Sequence, residues 1–168
     1  ADRNELVQLV MGGGGVVACD TPVKPDDQYR AAIDCPQDIE GAKKLLADAG
    51  YPNGIDVEVY VATLEPTWPK LAEAYQQQAA KAGIRVTIKQ VPSDGFWKEA
   101  WMKKTVAATI WNERPADQAL HEIYLSTAKW NESFYKDEGF DALLGKARRE
   151  LDFNKRKALY VQAQEHLH

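Results

Sequence analysis

Residues 55–61 have the sequence IDVEVYV, in which apolar and polar side chains alternate with the period that is typical of a β-strand. The sequence IRVTIKQV at residues 84–91 repeats that alternation, and an apolar stripe at helical spacing runs through residues 67–82 between them. A short helix is predicted over residues 94–104 and a third strand over residues 105–111. Two successive β-α-β steps predict an α/β fold in which at least part of the sheet is parallel.

Helices are also predicted on both sides of this alternating region. One covers residues 2–11 and ends at a run of four glycines, and another covers residues 38–49, with an aspartate as its cap. Two more occupy residues 140–168, with a break near Asp152. Residues 16–36 contain three prolines, so we expect an irregular segment that is pinned to a surface or carries function.

The composition limits the class of protein. The chain has 168 residues, of which 45% are hydrophobic and 10% aromatic, and its formal net charge is −4. These values are typical of one globular domain and exclude a disordered or collagen-like chain. No apolar run approaches the roughly 20 residues that span a bilayer, and a mildly acidic chain is a poor candidate for binding nucleic acid. The first residues, ADRNE, do not have the pattern of a signal peptide.

No motif for catalysis or for a bound cofactor is present in the sequence. His121, His166 and His168 are the only histidines, and none lies in a pattern that ligates a metal ion. The glycine run lacks the lysine and hydroxyl residue of a phosphate-binding loop, and no serine or cysteine lies in a nucleophile motif. We therefore predict no catalytic residue, no metal site and no cofactor.

The tryptophans are more informative than the titratable residues. Trp97 and Trp101 are four residues apart on the predicted short helix and share one face, which favours core packing. Trp111 instead ends the third predicted strand and begins a polar loop, residues 111–117. Because ligands of open α/β sheets bind outside the carboxyl ends of the strands, this loop is a candidate contact for an organic ligand with polar ends. The alternative is an ordinary helix start, with Asp117 in the first turn.

Several motifs resemble those of one protein family. The stretch AKKLLADAGYPNG at residues 42–54 resembles the AKxLLxEAGYPNG signature of the family 5 extracellular solute-binding proteins. Further motifs follow in the family's order: LAEAYQQQ at residues 71–78, AGIRV at residues 82–86, Asn131 with Tyr135 and Phe140, and the RKxLYxxAQ pattern at residues 156–164. The resemblance spans nearly all of residues 1–168, but the family's members are much longer, and this segment resembles their C-terminal ligand-binding lobe.

The resemblance implies a fold and a function. The expected fold is a lobe like that of type II periplasmic binding proteins, with a central mixed sheet flanked by helices, formed by residues 1–168 as a single α/β unit. The expected role is in a two-lobed receptor of an ABC importer, which closes over a peptide or another small solute and delivers it to the permease subunits. Such a receptor is periplasmic or otherwise extracytoplasmic, and neither nucleic-acid binding nor direct membrane insertion is expected.

We expect the ligand to contact the loop that begins at Trp111. Trp111 offers stacking area, Asn112 both donates and accepts hydrogen bonds, Glu113 suits a cationic group and Arg114 an anionic one. Asp117 is expected mainly to be a helix-start residue that braces the loop, because negative charge is favourable near a helix N-terminus. In peptide-binding members a longer loop carries an aspartate that pairs with the peptide amino group, and this chain has no secure equivalent of it.

Two residues of the family motif, Asn131 and Tyr135, complete the predicted ligand-binding set. Within that set, Trp111→Ala is expected to lower the affinity for the ligand and to leave the stability of the free protein nearly unchanged.

Cys19 and Cys35 are the only cysteines. An exported receptor matures in an oxidising compartment, which favours a disulfide between them. The alternative is two free, partly buried thiols, because the family requires cysteine at neither position.

Two other functions stay open on the sequence. One is an α/β enzyme domain that acts on a small polar substrate in the same crevice, for which turnover of a peptide or ester would be the sign. The other is an interaction module whose aromatic residues are all core, which predicts that no small ligand binds.

Overall fold

The computed structural model describes residues 1–168 as seven helices and two strands. In chain order these are α1 (Arg3–Met11), α2 (Ile39–Asp48), β1 (Ile55–Val61), α3 (Thr67–Ala80), β2 (Ile84–Gln90), α4 (Phe96–Glu99), α5 (Ala116–Tyr124), α6 (Glu138–Arg149) and α7 (Phe153–Leu167). Asp38 and Asp152 cap α2 and α7 by accepting hydrogen bonds from backbone N–H groups, as the sequence predicts. None of the helices combines the length and the apolar character needed to cross a membrane.

The chain groups into two compact units. The first contains Ala1–Val17 and Pro36–Ile110, and the second contains Ala18–Cys35 and Trp111–His168. Each unit therefore draws on two separate stretches of the chain. That residues 1–168 together form one lobe of a longer receptor stays a prediction.

The first unit contains the sheet, and its strands are parallel. β1 and β2 pair over their full lengths, in a register that starts with Ile55 opposite Ile84. Gly54 permits this close start because its φ is +82° and a Cβ there would lie 2.1 Å from the carbonyl oxygen of Gly83. The α/β class and the parallel pairing are confirmed, whereas no antiparallel part of the expected mixed sheet is present within these residues.

The third predicted strand and the helix before it are shorter than the sequence pattern indicates. Residues 105–111 pair with β1 only at one parallel bridge, between Tyr60 and Ala107. The two alanines at 107 and 108 offer little side-chain area for cross-strand packing, which explains why no longer ladder forms. The helix predicted over residues 94–104 is reduced to α4, whose C-cap is Ala100. Beyond it, Met102 takes a left-handed conformation, with a φ of +54°, that an α-helix does not contain.

The core of the first unit lies where α3 packs on β1 and β2. Its buried residues are Val59, Val61, Ala62, Trp68, Ala72, Ala79, Val86, Phe96 and Ala100. Phe96 is fully buried and packs against Trp68, while Trp97 packs edge-on against Phe96. Trp101 packs against this core, but Trp97 is 49% exposed, so the expected core position of Trp97 is wrong. The one-turn helix directs Phe96 inward instead.

Helices α5, α6 and α7 build the core of the second unit. Its buried residues are Val23, Ala116, Leu120, Phe140, Leu144, Ala147, Tyr160 and Ala163. Cys19 and Cys35 form a disulfide that closes the irregular segment contributing Val23 to this core. This is the pairing that export to an oxidising compartment favours.

Polar contacts hold the irregular segment, residues 18–35, on α7. The fully buried side-chain amide of Gln164 donates to the carbonyl oxygen of Tyr29 at 2.7 Å. Its Oε1 accepts hydrogen bonds from the hydroxyl of Thr21 and the backbone N–H of Ala31, both at 3.2 Å. Gln164 therefore helps to hold the segment on the helix and satisfies backbone groups that no secondary structure pairs.

Candidate functional site

Two loops of the second unit carry most of the predicted ligand-binding residues. Residues 111–115 lead into α5, and residues 125–137 connect α5 to α6. The indole Nε1–H of Trp111 joins the loops by donating a hydrogen bond to Oε1 of Glu132 at 2.6 Å. The ring of Trp111 also packs against Trp130, with centroids 5.9 Å apart and planes inclined at 57°. We call Trp111, Trp130 and Glu132 the aromatic site.

Trp111 is more enclosed than a free stacking surface would be. Its N–H is bonded to Glu132, its ring contacts Trp130, and the guanidinium carbon of Arg114 lies 5.1 Å from its ring centroid, a cation–π contact. Its side chain is only partly exposed, whereas Trp130 is 47% exposed. The structure therefore makes the predicted anchor a supported ring and turns its neighbour toward solvent.

Arg114 is already paired within the protein. Its Nε lies 2.7 Å from Oε2 of Glu122, and its Nη1 donates to the carbonyl oxygen of Asn112 at 3.0 Å. The Nε–H is not aligned with that carboxylate oxygen, so the two buried atoms form an ion pair without a hydrogen bond. The predicted contact of Arg114 with an anionic ligand would take its ion-pair partner from the partly buried Glu122 and leave it only the hydrogen bond from Gln118, which is costly.

Asn112 and Glu113 remain accessible, as the prediction requires. Both side chains are exposed. Oε1 of Glu113 lies 2.5 Å from Nζ of Lys24, and this hydrogen bond raises the pKa of Lys24 above its ordinary value. Because a solvent-exposed ion pair contributes little to stability, a cationic group of a ligand can replace Lys24 beside Glu113 at small cost.

Asp117 lies at the centre of a network that fastens α5 to α6 and α7. Arg148 donates three hydrogen bonds to its carboxylate at 2.9 to 3.1 Å, the hydroxyl of Tyr160 donates one at 2.6 Å, and Nδ1 of His121 lies 3.1 Å away. Partial burial alone would raise the pKa of Asp117, but the hydrogen bonds from Arg148 and Tyr160 outweigh it and lower that pKa. Burial and the same hydrogen bond raise the pKa of Tyr160. These contacts fit the bracing role predicted for Asp117.

Asn131 and Tyr135 organise the second loop from inside. Asn131 is 5% exposed, and its Nδ2 donates to the carbonyl oxygen of Tyr135 at 2.6 Å. Its Oδ1 accepts hydrogen bonds from the hydroxyl of Ser133 at 2.8 Å and from the backbone N–H of Tyr135 at 3.2 Å. The ring of Tyr135 packs edge-on against Phe140 of the core. Both residues support the loop in this structure, and their contact with a ligand stays a prediction.

Sequence reasoning missed Trp130 and Glu132, which flank Asn131 in the chain. The segment around them has neither helical nor strand periodicity, so the pattern assigns no side chain to a face. The one available signal was a tryptophan in a polar stretch between two helical regions, because loops often carry binding residues.

The arrangement is suited to binding a solute. No group of three or more His, Cys, Asp or Glu residues is arranged to hold a metal ion. His121 and His166 each contact an aspartate rather than a serine or cysteine. The aromatic site and its neighbours offer an exposed indole, an exposed amide and an exposed carboxylate, which together suit an organic molecule with apolar and polar parts.

Comparison with known proteins gives a consistent set of relatives. The family model described as bacterial extracellular solute-binding proteins, family 5 Middle, matches residues 1–132. Heme-binding protein A of Haemophilus influenzae is 29% identical over 178 residues, which cover 99% of this chain and 32% of that protein. A glutathione-binding protein of Pectobacterium atrosepticum is 28% identical over 144 residues, which cover 77% of this chain and 28% of that protein.

Solved structures share the fold. The ABC transporter-associated periplasmic binding protein DppA of Helicobacter pylori, in complex with the peptide STSA, matches with a TM-score of 0.82 at 29% identity. That match covers 98% of this chain and 33% of the other. The chain therefore spans about a third of the length of the relatives that it matches.

Proposed function

This chain belongs to the family 5 bacterial extracellular solute-binding proteins, and we propose that it is the C-terminal ligand-binding lobe of a longer, two-lobed receptor. The receptor captures a peptide or another small solute outside the cytoplasmic membrane and delivers it to the permease subunits of an ABC importer. The match of the family model to residues 1–132 is the single observation that carries this proposal.

The relatives support a small organic ligand without naming it. One is called a heme-binding protein, another a glutathione-binding protein, and a third was solved with the peptide STSA. These molecules share little except a combination of apolar and polar groups. A ligand of this chain is therefore expected to be of that general kind, and its identity depends on the contacts that this chain itself offers.

The geometry of the second unit supports a binding surface at residues 111–114 and the loop that carries Trp130. The indole of Trp130 is available for apolar contact, and the side chains of Asn112 and Glu113 are available for polar contact. Arg114 and Asp117 shape the surface through their pairing with protein groups. In this proposal they position the loop rather than bind the ligand.

Solute binding without catalysis is the function favoured here. The family consists of solute-binding proteins, and the carboxylate with the most partners, Asp117, is engaged by Arg148, Tyr160 and His121. An enzyme acting on a small polar substrate would need a reactive group that faces the ligand. Turnover of a recovered ligand by the purified receptor would contradict this part of the proposal.

The isolated chain is expected to fold but to bind its ligand weakly. Each unit has its own buried core, which supports folding without further chain. A two-lobed receptor encloses its ligand between both lobes, so one lobe alone leaves part of the ligand in water. Calorimetry on the 168-residue chain tests this: sub-micromolar binding of a peptide would contradict the need for a second lobe.

Recovery of the natural ligand tests the proposed function. The longer protein that contains this chain is purified without denaturant, the bound material is released by unfolding, and mass spectrometry identifies it. We expect one small molecule in near-stoichiometric amount that rebinds to the refolded protein and stabilises it against heat. A protein that releases no small molecule and gains no stability from extracts of its growth medium would contradict the receptor function.

A further inference from the structure

We propose that Trp130 is the aromatic residue that contacts the ligand, with Trp111 as a positioning residue behind it, and that the preferred ligand carries a planar aromatic group. This inference rests on the proposed receptor function and deepens it by naming a contact residue and a ligand chemistry.

Trp130 presents a large exposed aromatic surface. Its side chain is 47% exposed, although it packs on another indole, that of Trp111. Burial of aromatic area stabilises a folded chain, so a large exposed ring costs free energy unless another molecule covers it. Trp130 adjoins residues 111–114, the segment that the proposed function assigns to the ligand, so the ligand is the molecule expected to cover it.

The loop that carries Trp130 is held in one conformation. Asn131, the next residue, is buried and bonds both backbone groups of Tyr135. Phe134 has a φ of +55°, a left-handed conformation that is rare for an aromatic residue. The hydrogen bonds of Asn131 offset that strain. A loop that is already ordered loses little conformational freedom when a ligand binds, which favours affinity.

The two indoles have different roles. Trp111 has one hydrogen-bond donor, and Glu132 accepts it at 2.6 Å. Arg114 contacts its ring, so little of Trp111 is left for a ligand. These contacts fix the plane of Trp111, and Trp111 in turn supports the ring of Trp130. Mutating the support is therefore expected to affect both stability and binding, and mutating the contact residue mainly binding.

The chemistry of the exposed surface selects the ligand group. The hydrogen-bonding capacity of Trp111 is used within the protein, so apart from the indole N–H of Trp130 the pair presents mostly ring faces and edges. Aromatic groups gain stacking or edge-to-face energy from such rings in addition to the energy of buried area. An aliphatic group of similar size gains only the energy of buried area. The site should therefore prefer an aromatic group.

The chain contains its own matched control. Trp97 is 49% exposed and packs against a second tryptophan, Trp101, with centroids 5.6 Å apart. It belongs to the first unit, whereas Trp130 belongs to the second. Any general affinity of exposed indoles for aromatic molecules would appear at both tryptophans, and a built site would appear at only one.

Nuclear magnetic resonance of the isotope-labelled 168-residue chain tests the proposal. The chain is titrated with N-acetyl-L-phenylalaninamide and, separately, with N-acetyl-L-leucinamide, and the indole N–H signals are followed after assignment with single variants. We expect the phenylalanine amide to shift the signals of Trp130 and Trp111 and to leave that of Trp97 in place. Its midpoint should lie roughly two- to tenfold below that of the leucine amide.

Variants separate the contact from its background. Trp130→Ala should abolish the preference for the aromatic amide, and Trp97→Ala should retain it. If Trp130→Ala fails to fold, Trp130→Leu keeps apolar volume without an aromatic ring and must also lose the preference.

Three results would overturn the proposal: equal affinity for the two amides, a shift of Trp97 equal to that of Trp130, or no shift of Trp130 up to the solubility limit. The receptor function is judged separately by the ligand recovered from the longer protein. If this titration fails although a ligand is recovered from the longer protein, only the assignment of Trp130 is refuted.

Discussion

The molecule contains two tryptophan pairs that look alike and are built differently. Trp97 with Trp101 and Trp111 with Trp130 have ring centroids 5.6 and 5.9 Å apart, and one ring of each pair is about half exposed. The first pair continues a run of rings that begins in the core at Phe96.

Hydrogen bonds hold the second pair. Glu132 fixes the indole of Trp111, and Asn131 fixes the loop that carries Trp130. Where the contacts beneath a pair are apolar, the exposed ring is the edge of a hydrophobic core. Where the contacts beneath a pair are hydrogen bonds, the fold must order partly buried polar groups to hold a ring that still faces solvent. Such an arrangement favours a binding role. The comparison teaches that exposure alone does not distinguish the two pairs, whereas the contacts beneath them do.

Removal of Phe96, on which the first pair packs, should have the largest effect on stability. Phe96→Ala deletes a fully buried ring and is expected to lower the free energy of unfolding by about 3–5 kcal/mol. Denaturation in urea measures it. Phe134→Ala is the control, because Phe134 is 63% exposed and its loss should change stability by only about 0.5 kcal/mol. Equal losses in the two variants would contradict the core position of Phe96.

Removal of the hydrogen bonds of Asn131 should lower stability by less. Asn131→Ala removes the side-chain hydrogen bonds that Asn131 makes with the N–H and the carbonyl of Tyr135 and is expected to lower the free energy of unfolding by about 1–3 kcal/mol. Asn112→Ala removes an exposed amide from the neighbouring loop and serves as the control. If the two alanine variants are equally stable, the loop around Trp130 does not depend on Asn131.

The hydrogen bond between Trp111 and Glu132, which joins the two loops of the aromatic site, can be removed on its own. Trp111→Phe keeps a ring against Trp130 but loses the donor to Glu132, so we expect a loss of about 0.5–1.5 kcal/mol in the free energy of unfolding. Thermal or urea unfolding measures this loss. This revises the expectation from sequence that Trp111 can be truncated without affecting stability. A variant as stable as the parent would show that this hydrogen bond does not support the ring.

Acid should weaken the second unit through Asp117, by the smallest of these effects. The pKa of Asp117 is lower in the folded chain than in the unfolded one, so its stabilising contribution is present above the unfolded pKa of about 3.9. It is lost as the pH falls through the lower, folded pKa. Because the side chain is 36% exposed, solvent screening keeps the effect small.

Asp117→Asn is the variant that isolates this contribution. Urea unfolding at neutral and acidic pH should give a smaller acid-induced loss of stability for the variant than for the parent chain. Asp34→Asn, at an exposed carboxylate elsewhere in the second unit, is the control. A parent and an Asp117→Asn variant with the same pH dependence would contradict the lowered pKa.

The elements that the sequence predicted well are those built on apolar periodicity. The strand at residues 55–61, the strand at residues 84–91 and the helix between them follow from spacing alone. The shortened third strand did not, because Ala107 and Ala108 satisfy a strand pattern without supplying the side-chain area that holds one.

The candidate site was harder to predict because side-chain hydrogen bonds build it. The sequence identified Trp111 and the polar residues that follow it. It gave no sign that Arg114 would pair with Glu122 or that Trp111 would bond Glu132, which is 21 residues away in the chain. Such pairings depend on how the loops before and after α5 fold against that helix and against each other, so no local pattern encodes them. Trp130 was missed for the same reason.

Oxidative footprinting of the longer receptor is the most direct test of whether the ligand covers Trp130. The protein is oxidised with hydroxyl radicals, both with its recovered ligand bound and after that ligand is removed, and mass spectrometry measures the oxidation of each tryptophan. We expect ligand binding to protect Trp130 from oxidation and to change the oxidation of Trp97 little. Equal oxidation of Trp130 in the two states, with the ligand known to be bound, would contradict it.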